Sequence, residues 1–221
     1  METLKLGSRG GAVAQLQQVL GIAPDGIYGP ATREAVHAWQ QRNGLVADGI
    51  AGLRTLTALH GPTRVSERGN RGAFLDMLAW SEIGDRMLAD SNNGYDIIVG
   101  SKPGAMIRMA SYADHPRRLI RIKAGLASTA AGRYQLLSRY YDAYTRMLGL
   151  RDFSPRSQDR IAIQQIRERR ALPDIDAGRF DLAVSKCRNI WASLPGAGYG
   201  QHENSLNACR AAYVRAGGKL A

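Results

Sequence analysis

One glutamate sits where a carboxyl can be kept neutral. Glu82 follows Leu78 by four residues and Phe74 by eight, so at helical spacing the three share a face. That face is apolar and points inward. Gly84 comes two residues later, which puts Glu82 in the last helical turn. Burial disfavours a carboxylate, and the negative end of the helix dipole disfavours it again. A glutamic acid held protonated near neutral pH can give its proton to a departing glycosidic oxygen. The same spacing also fits an amphipathic helix whose last turn carries a surface Glu.

Few other groups could share this chemistry. Asp85 reads as a solvated loop residue. Asp96 lies inside the apolar run Tyr95-Asp96-Ile97-Ile98-Val99-Gly100, where an ionised group needs partners. It can position Glu82, contact a sugar or cap a turn. Tyr199 stands in the glycine-rich run Gly196-Ala197-Gly198-Tyr199-Gly200-Gln201, where backbone and ring can approach a ligand closely. Tyr134 and Gln135, in Gly132-Arg133-Tyr134-Gln135 at a helix start, are equally open to a binding or a packing role. The two cysteines, Cys187 and Cys209, and the scattered His37, His60, His115 and His202 match no metal-ligand spacing. No metal or cofactor is expected. One disulfide and two buried thiols remain equally open.

The chain has 221 residues, 44% hydrophobic and 22% charged, enough for a packed core. The net charge is +11, and it is unevenly placed. Residues 1–60 carry five Lys or Arg against four Asp or Glu, whereas the remainder carries 25 against 15. A basic surface suits an anionic target such as cell wall or anionic lipid. No nucleic-acid motif accompanies it, and no nucleic-acid partner is expected. No stretch approaches the ~18 apolar residues of a membrane span, and no secretory signal is read at the N-terminus.

The elements that must position these residues fall into two groups. Asp25-Gly26-Ile27-Tyr28-Gly29, then Thr32, is repeated 23 residues later as Asp48-Gly49-Ile50-Ala51-Gly52, then Thr55. Each Asp-Gly supports a tight turn. Three short helices surround the turns. The first carries Val13, Leu16, Val19 and Leu20; the second starts at Pro30 and holds Ala35, Val36 and Trp39; the third runs from about Leu53 to His60. Residues 61–72, rich in Gly, Pro, Ser and Arg, read as a linker. Beyond it, helices are expected at about Gly72–Ile83, around Leu136–Leu148, after Ser154-Pro155, at about Phe180–Leu194 and at about Asn204–Ala216. A short strand is expected at Tyr95–Gly100, in a small hairpin sheet. The fold class is mainly α (α+β).

Residues Leu4 to Leu59, with the doubled turn motif, resemble peptidoglycan-binding type 1 modules. The resemblance implies non-catalytic wall binding near the two turns. Residues 70–218 resemble the lambda-type endolysins of phages. The match is carried by Ala73-Phe74-Leu75-Asp76-Met77-Leu78-Ala79-Trp80-Ser81-Glu82, Gly94 to Gly100, Asp114-His115-Pro116-Arg117, Ala131 to Ser138, Asp152-Phe153-Ser154-Pro155 and Asn189 to Gln201. It departs at Ile83 to Asn93 and at Ser101 to Tyr112, segments expected to border the cleft.

This resemblance implies a lysozyme-like catalytic domain over residues 73–221, after a binding module over 1–60. It implies lytic transglycosylase cleavage between N-acetylmuramic acid and N-acetylglucosamine with a 1,6-anhydro product. Glu82 would act as acid and then base, while Asp96, Tyr134, Gln135 and Tyr199 would shape the sugar cleft. A hydrolytic muramidase using Asp96 or Asp85 as second carboxylate is the competing expectation, followed by a wall-binding protein without turnover. The protein is expected as a monomer in the host cytoplasm, reaching the periplasm through a holin. Its basic domain is expected to contact the anionic outer membrane.

Overall fold

Two buried glutamines organise the N-terminal unit. The computed structural model describes residues 3–42, 45–59, 69–200 and 202–221, and the chain divides into two units, 1–63 and 64–221. Helices α1 (Gly11–Leu20), α2 (Pro30–Arg42) and α3 (Leu53–Leu59) form the first. Gln17 on α1 places its Nε2 within hydrogen-bonding distance of Asp25 Oδ1 (2.6 Å), the Ile27 carbonyl (3.0 Å) and Thr32 Oγ1 (2.9 Å). Its Oε1 accepts from the Gly26 N–H at 2.9 Å.

Gln40 on α2 repeats the set 23 residues later with Asp48 (2.9 Å), Ile50 (3.0 Å), Thr55 (2.8 Å) and Gly49 (2.9 Å). Gly49 has φ +67°, and a Cβ there would lie 2.8 Å from the Arg33 side chain, so the turn requires glycine twice over. Tyr28 joins the two repeats by donating its hydroxyl to the Gly49 carbonyl at 3.0 Å. The core is Leu4, Val13, Leu16, Tyr28, Val36, Ala51, Leu56 and Leu59, with Leu20 and Trp39 packed on it. Val19, expected on this face, is half exposed. The helix turns about 100° per residue, and Leu16 and Leu20 take the inward positions.

The second unit is built around α4 (Asn70–Ile83), whose Ala73, Phe74, Leu75, Met77, Leu78, Ala79, Ser81 and Ile83 are all buried. After α4 come α5 (Asp85–Ala89), strands β1 (Ile120–Lys123) and β2 (Leu126–Ser128), then α6 (Ser138–Leu148) and α7 (Pro155–Glu168). The chain ends with α8 (Leu172–Asp176), α9 (Phe180–Cys187) and α10 (Leu206–Arg215). Helix α4 packs against α10 and α8, and α6 packs against α7. Phe180 stands edge-on to Phe74 with ring centroids 6.1 Å apart. The unit is mainly helical with one small antiparallel sheet.

Four sequence expectations change. Of the expected linker, residues 61–68 lie outside the described residues, and by Asn70 the chain is already helical. That first turn is tied down: Arg71 pairs with Asp176 at 2.6 Å, and Asn70 Oδ1 accepts from the Lys219 N–H at 2.8 Å. The run Tyr95–Gly100 is not a strand of the hairpin. Ile97 and Ile98 make single bridges to Arg108 and Ala131, so their hydrogen bonds are split between two segments. The hairpin is instead β1–β2, with a register shift between Arg121 and Lys123. Helix α6 begins at Ser138, because Leu136 is already paired with Ala131. Helix α9 ends at Cys187 and not near Leu194; successive turns follow, and Trp191 and Leu194 are buried.

Gln40→Ala leaves the Gly49 N–H, Asp48 and Thr55 without their shared partner. It is expected to destabilise the N-terminal unit by about 1–3 kcal/mol. Faster amide exchange at Gly49 in the full chain is the readout, and Gln17→Ala should do the same at Gly26.

Candidate active site

Helix α4 delivers Glu82 in its last turn, and the Gly84 N–H closes that turn on the Trp80 carbonyl at 2.9 Å. Phe74 and Leu78, eight and four residues back on the same face, have no exposed surface. Glu82 itself is partly buried. Burial pushes its pKa up from the ordinary carboxylate value, and hydrogen bonds from Ser193 pull part of the way back. Burial therefore favours the protonated acid more than it would be favoured in an exposed glutamate. Burial is the leading cause.

The chain's retreat from helix after Cys187 brings Ser193 to this carboxyl. Ser193 Oγ donates to Glu82 Oε1 at 2.5 Å. Ser81 Oγ donates to Ser193 Oγ at 2.7 Å, and Asn204 Nδ2 donates to Ser81 Oγ at 3.0 Å. The Asn204 N–H also donates to the Ser193 carbonyl at 2.8 Å. Asn204 stands immediately before Ser205, the N-cap of α10, whose side chain accepts from the Ala208 N–H. Ser81, Ser193 and Asn204 were not singled out in the sequence. The polar Ser193 within Trp191-Ala192-Ser193-Leu194-Pro195 was the available signal.

The other residues expected at the site divide in two. Asp96 is buried; it accepts from the Asn92 N–H at 2.9 Å and lies 3.6 Å from Arg108. Its carboxylate closes the turn at 92–96. Tyr134 is turned into the core, where its hydroxyl donates to Asp159 Oδ1 at 2.7 Å, so its ring cannot line an open sugar cleft. Gln135 takes φ +48° and donates back to the Gly132 carbonyl at 2.9 Å. Tyr199 is 52% exposed, which leaves its ring face open to a ligand, while its hydroxyl donates to the Asn189 carbonyl at 2.8 Å. Glu203 holds that glycine-rich loop by accepting from the Gly196 and Gly198 N–H groups at 2.8 and 2.7 Å. Asp85 is exposed and accepts from Trp80 Nε1 at 3.1 Å.

A buried polar knot joins the segments around Glu82. Tyr95 and Tyr134 both donate to Asp159 Oδ1 on α7, at 2.8 and 2.7 Å. Arg133 reaches Asp76 on α4 at 2.6 Å, bonds the Asn93 carbonyl, and lies over the rings of Tyr95 and Tyr134. Gln158 accepts from the Arg133 N–H at 2.9 Å and donates to the Tyr95 carbonyl at 3.0 Å. A Cβ on Gly132 would sit 2.2 Å from Gln158 Oε1, so only glycine fits. Trp191 Nε1 donates to the Tyr134 carbonyl at 3.2 Å, which ties the Ser193 segment to the same knot. A small internal cavity lies beside it, lined by Tyr134, Phe153 and Gln158 among others; Glu82 does not line it.

Cys187 and Cys209 are separate buried thiols, with pKa values pushed up by burial to about 12 and about 11. His115 is buried, with Nε2 on the Leu136 carbonyl at 2.9 Å and Nδ1 accepting from the Arg117 N–H at 3.1 Å. Burial lowers its pKa, which makes it a neutral packing histidine. Among the described residues no group of His, Cys, Asp or Glu is arranged to hold a metal ion.

Asp159→Ala leaves two buried hydroxyls without an acceptor. A loss of about 1–3 kcal/mol for each is expected, measurable by denaturant unfolding of the full chain.

Residues 72–220 match the family model described as Endolysin, and residues 9–59 match that of a putative peptidoglycan binding domain. The chain is 54% identical over 157 residues to the endolysin of Escherichia phage lambda, covering 71% of this chain and 96% of the relative. It is 50% identical over 159 residues to the endolysin of Escherichia phage P2, covering 70% and 96%. The solved structure of bacteriophage lambda lysozyme complexed with a chitohexasaccharide aligns with TM-score 0.63 at 52% identity, covering 69% of this chain and 96% of that one.

Proposed function

Because this chain belongs to the endolysin family, a family of peptidoglycan-degrading phage enzymes, we propose that it cleaves the glycan strand as a lytic transglycosylase with Glu82 as its acid. The observation that carries the proposal is the state of Glu82. Its carboxyl is pushed toward the neutral form by burial, and its hydrogen bonds among the described residues come from Ser193, not from a second carboxylate.

The protonated carboxyl gives its proton to the bridging oxygen between N-acetylmuramic acid and N-acetylglucosamine, and the bond from that oxygen to muramyl C1 breaks. The muramyl 6-hydroxyl then attacks C1 from within the same sugar, and its proton passes to the Glu82 carboxylate. The acid is restored, and the product ends in a 1,6-anhydro ring. Hydrolytic glycosidases pair two carboxylates so that one can activate water or form the covalent link. An internal hydroxyl makes the second dispensable. Asp96, engaged by the Asn92 N–H and facing Arg108, and Asp85, bonded to Trp80, are both otherwise employed.

The N-terminal module binds peptidoglycan in this reading, near the two turns where Ile27 and Ile50 are exposed. Tethering raises the local concentration of the catalytic unit on the wall. Tyr199, with its exposed ring, shapes the sugar cleft. Asp96, Tyr134 and Gln135 contribute to that cleft by holding its walls. Release from the host cytoplasm to the periplasm through a holin completes the proposal, as does contact of the basic second unit with anionic outer membrane. Among the described residues no helix is long and apolar enough to cross a membrane.

Mass spectrometry of the released muropeptides tests the reaction type. Anhydro-muramic ends, lighter by one water than reducing ends, are expected; reducing ends alone would assign the chemistry to hydrolysis. Glu82→Gln should lower the rate of wall lysis about 10²–10⁴-fold. The working form is the protonated one, so activity should hold below the raised Glu82 pKa and fall as pH climbs through it. Turbidity clearance across a pH series reads that limb.

A further inference from the structure

We infer that Ser193, seated by Ser81 and Asn204, is a positioning residue that fixes which oxygen of Glu82 presents the catalytic proton. The inference rests on the reading of Glu82 as the acid. An amide nitrogen can only donate, so Asn204 Nδ2 gives a hydrogen to Ser81 Oγ. A hydroxyl carries one proton, and Ser81 spends it on Ser193 Oγ at 2.7 Å. Ser193 in turn gives its proton to Glu82 Oε1 at 2.5 Å. The three links run one way. In that direction Oε1 is an acceptor, and the neutral acid keeps its own proton on Oε2.

Reversing the chain would require Glu82 to donate through Oε1 and Ser193 to return its proton to Ser81. Ser81 would then have the longer contact to the Ser193 carbonyl, at 3.3 Å. The same 2.5 and 2.7 Å contacts serve either direction, and only the forward one leaves the Glu82 proton free to reach a substrate oxygen.

Orientation matters because the terminal torsion of a glutamate is broad. A free carboxyl would wander between its two faces, and general acid catalysis needs the proton within hydrogen-bond reach of its target. The chain is anchored at both ends in rigid structure. Ser81 and Glu82 belong to α4, Asn204 abuts α10, and those two helices pack together. Ser193 is held between them by the Asn204 N–H on its carbonyl and by its neighbour Trp191 on Tyr134.

The test combines kinetics with carbon-13 NMR titration of the Glu82 carboxyl, assigned by its loss in Glu82→Gln. Ser193→Ala is expected to lower kcat about tenfold to hundredfold with KM little changed. It removes a bond that favours the anion, so the carboxyl titration midpoint and the alkaline limb of the pH–rate profile should both move upward. Ser193→Thr, which keeps the hydroxyl, should restore most of the rate and both midpoints. Ser81→Ala should shift all three readouts in the same direction by less.

A merely structural Ser193 would lower kcat only in proportion to the folded fraction, seen by thermal unfolding, and leave the midpoint unmoved. That result overturns the inference. If Glu82→Gln is inactive while Ser193→Ala matches the wild type in rate and pH profile, the positioning role alone falls. If Glu82→Gln lyses walls at the wild-type rate, the acid assignment falls and the positioning role with it.

Discussion

Glu82 gives up most of its hydration where α4 ends, and Ser193 returns hydrogen bonds from its hydroxyl and its backbone. The two effects oppose one another. Burial alone would leave a carboxyl neutral but loose, free to turn its proton to either side. A bond to a charged partner would hold the carboxyl but ionise it. A serine hydroxyl holds one oxygen without supplying a counter-charge, which suits the proposed role of Glu82 as a neutral, directed acid. A donated hydroxyl favours the anion far less than a guanidinium would. The rest of the second unit can be understood as what is needed to keep Ser193 in reach of a helix more than a hundred residues earlier in the chain.

That need explains the buried polar knot. Asp159 receives two tyrosine hydroxyls, and Arg133 spans Asp76, the Asn93 carbonyl and two aromatic faces. Such a network is costly to bury where a member lacks a partner, as Arg133 Nε does, while its satisfied members permit few alternative packings. It clamps residues 92–99 and 131–136 onto α4 and α7, and Trp191 hooks the Ser193 segment onto the same clamp. Tyr134, which stands in a motif resembling lambda-type endolysins, is part of this frame.

The N-terminal unit solves a different problem by repetition. About sixty residues bury little apolar surface, so the module leans on two copies of one polar device. Gln17 and Gln40 each bind a turn, a threonine and a carbonyl from a buried position. The repeated Asp-Gly-Ile motif is the visible half of that device. Its glutamines stand eight residues before each Asp and look unremarkable until the helix is placed beside its turn.

The sequence by itself determined the periodic and local features. The helical face carrying Phe74, Leu78 and Glu82, the doubled turns, the Ser154-Pro155 helix start and the two-part organisation all follow from spacing and capping. These are set by interactions within a few residues. Tertiary structure alone decided what crosses long separations. Tyr95–Gly100 looked like a strand but divides its hydrogen bonds between two distant segments. Residues 188–194 looked like more of α9 but break away to bury Trp191 and bring Ser193 to Glu82. Tyr134 was open to a binding or a packing role, and its hydroxyl goes to Asp159. In each case the local pattern was permissive, and the choice fell to partners from 11 to more than 100 residues away, which local periodicity does not encode.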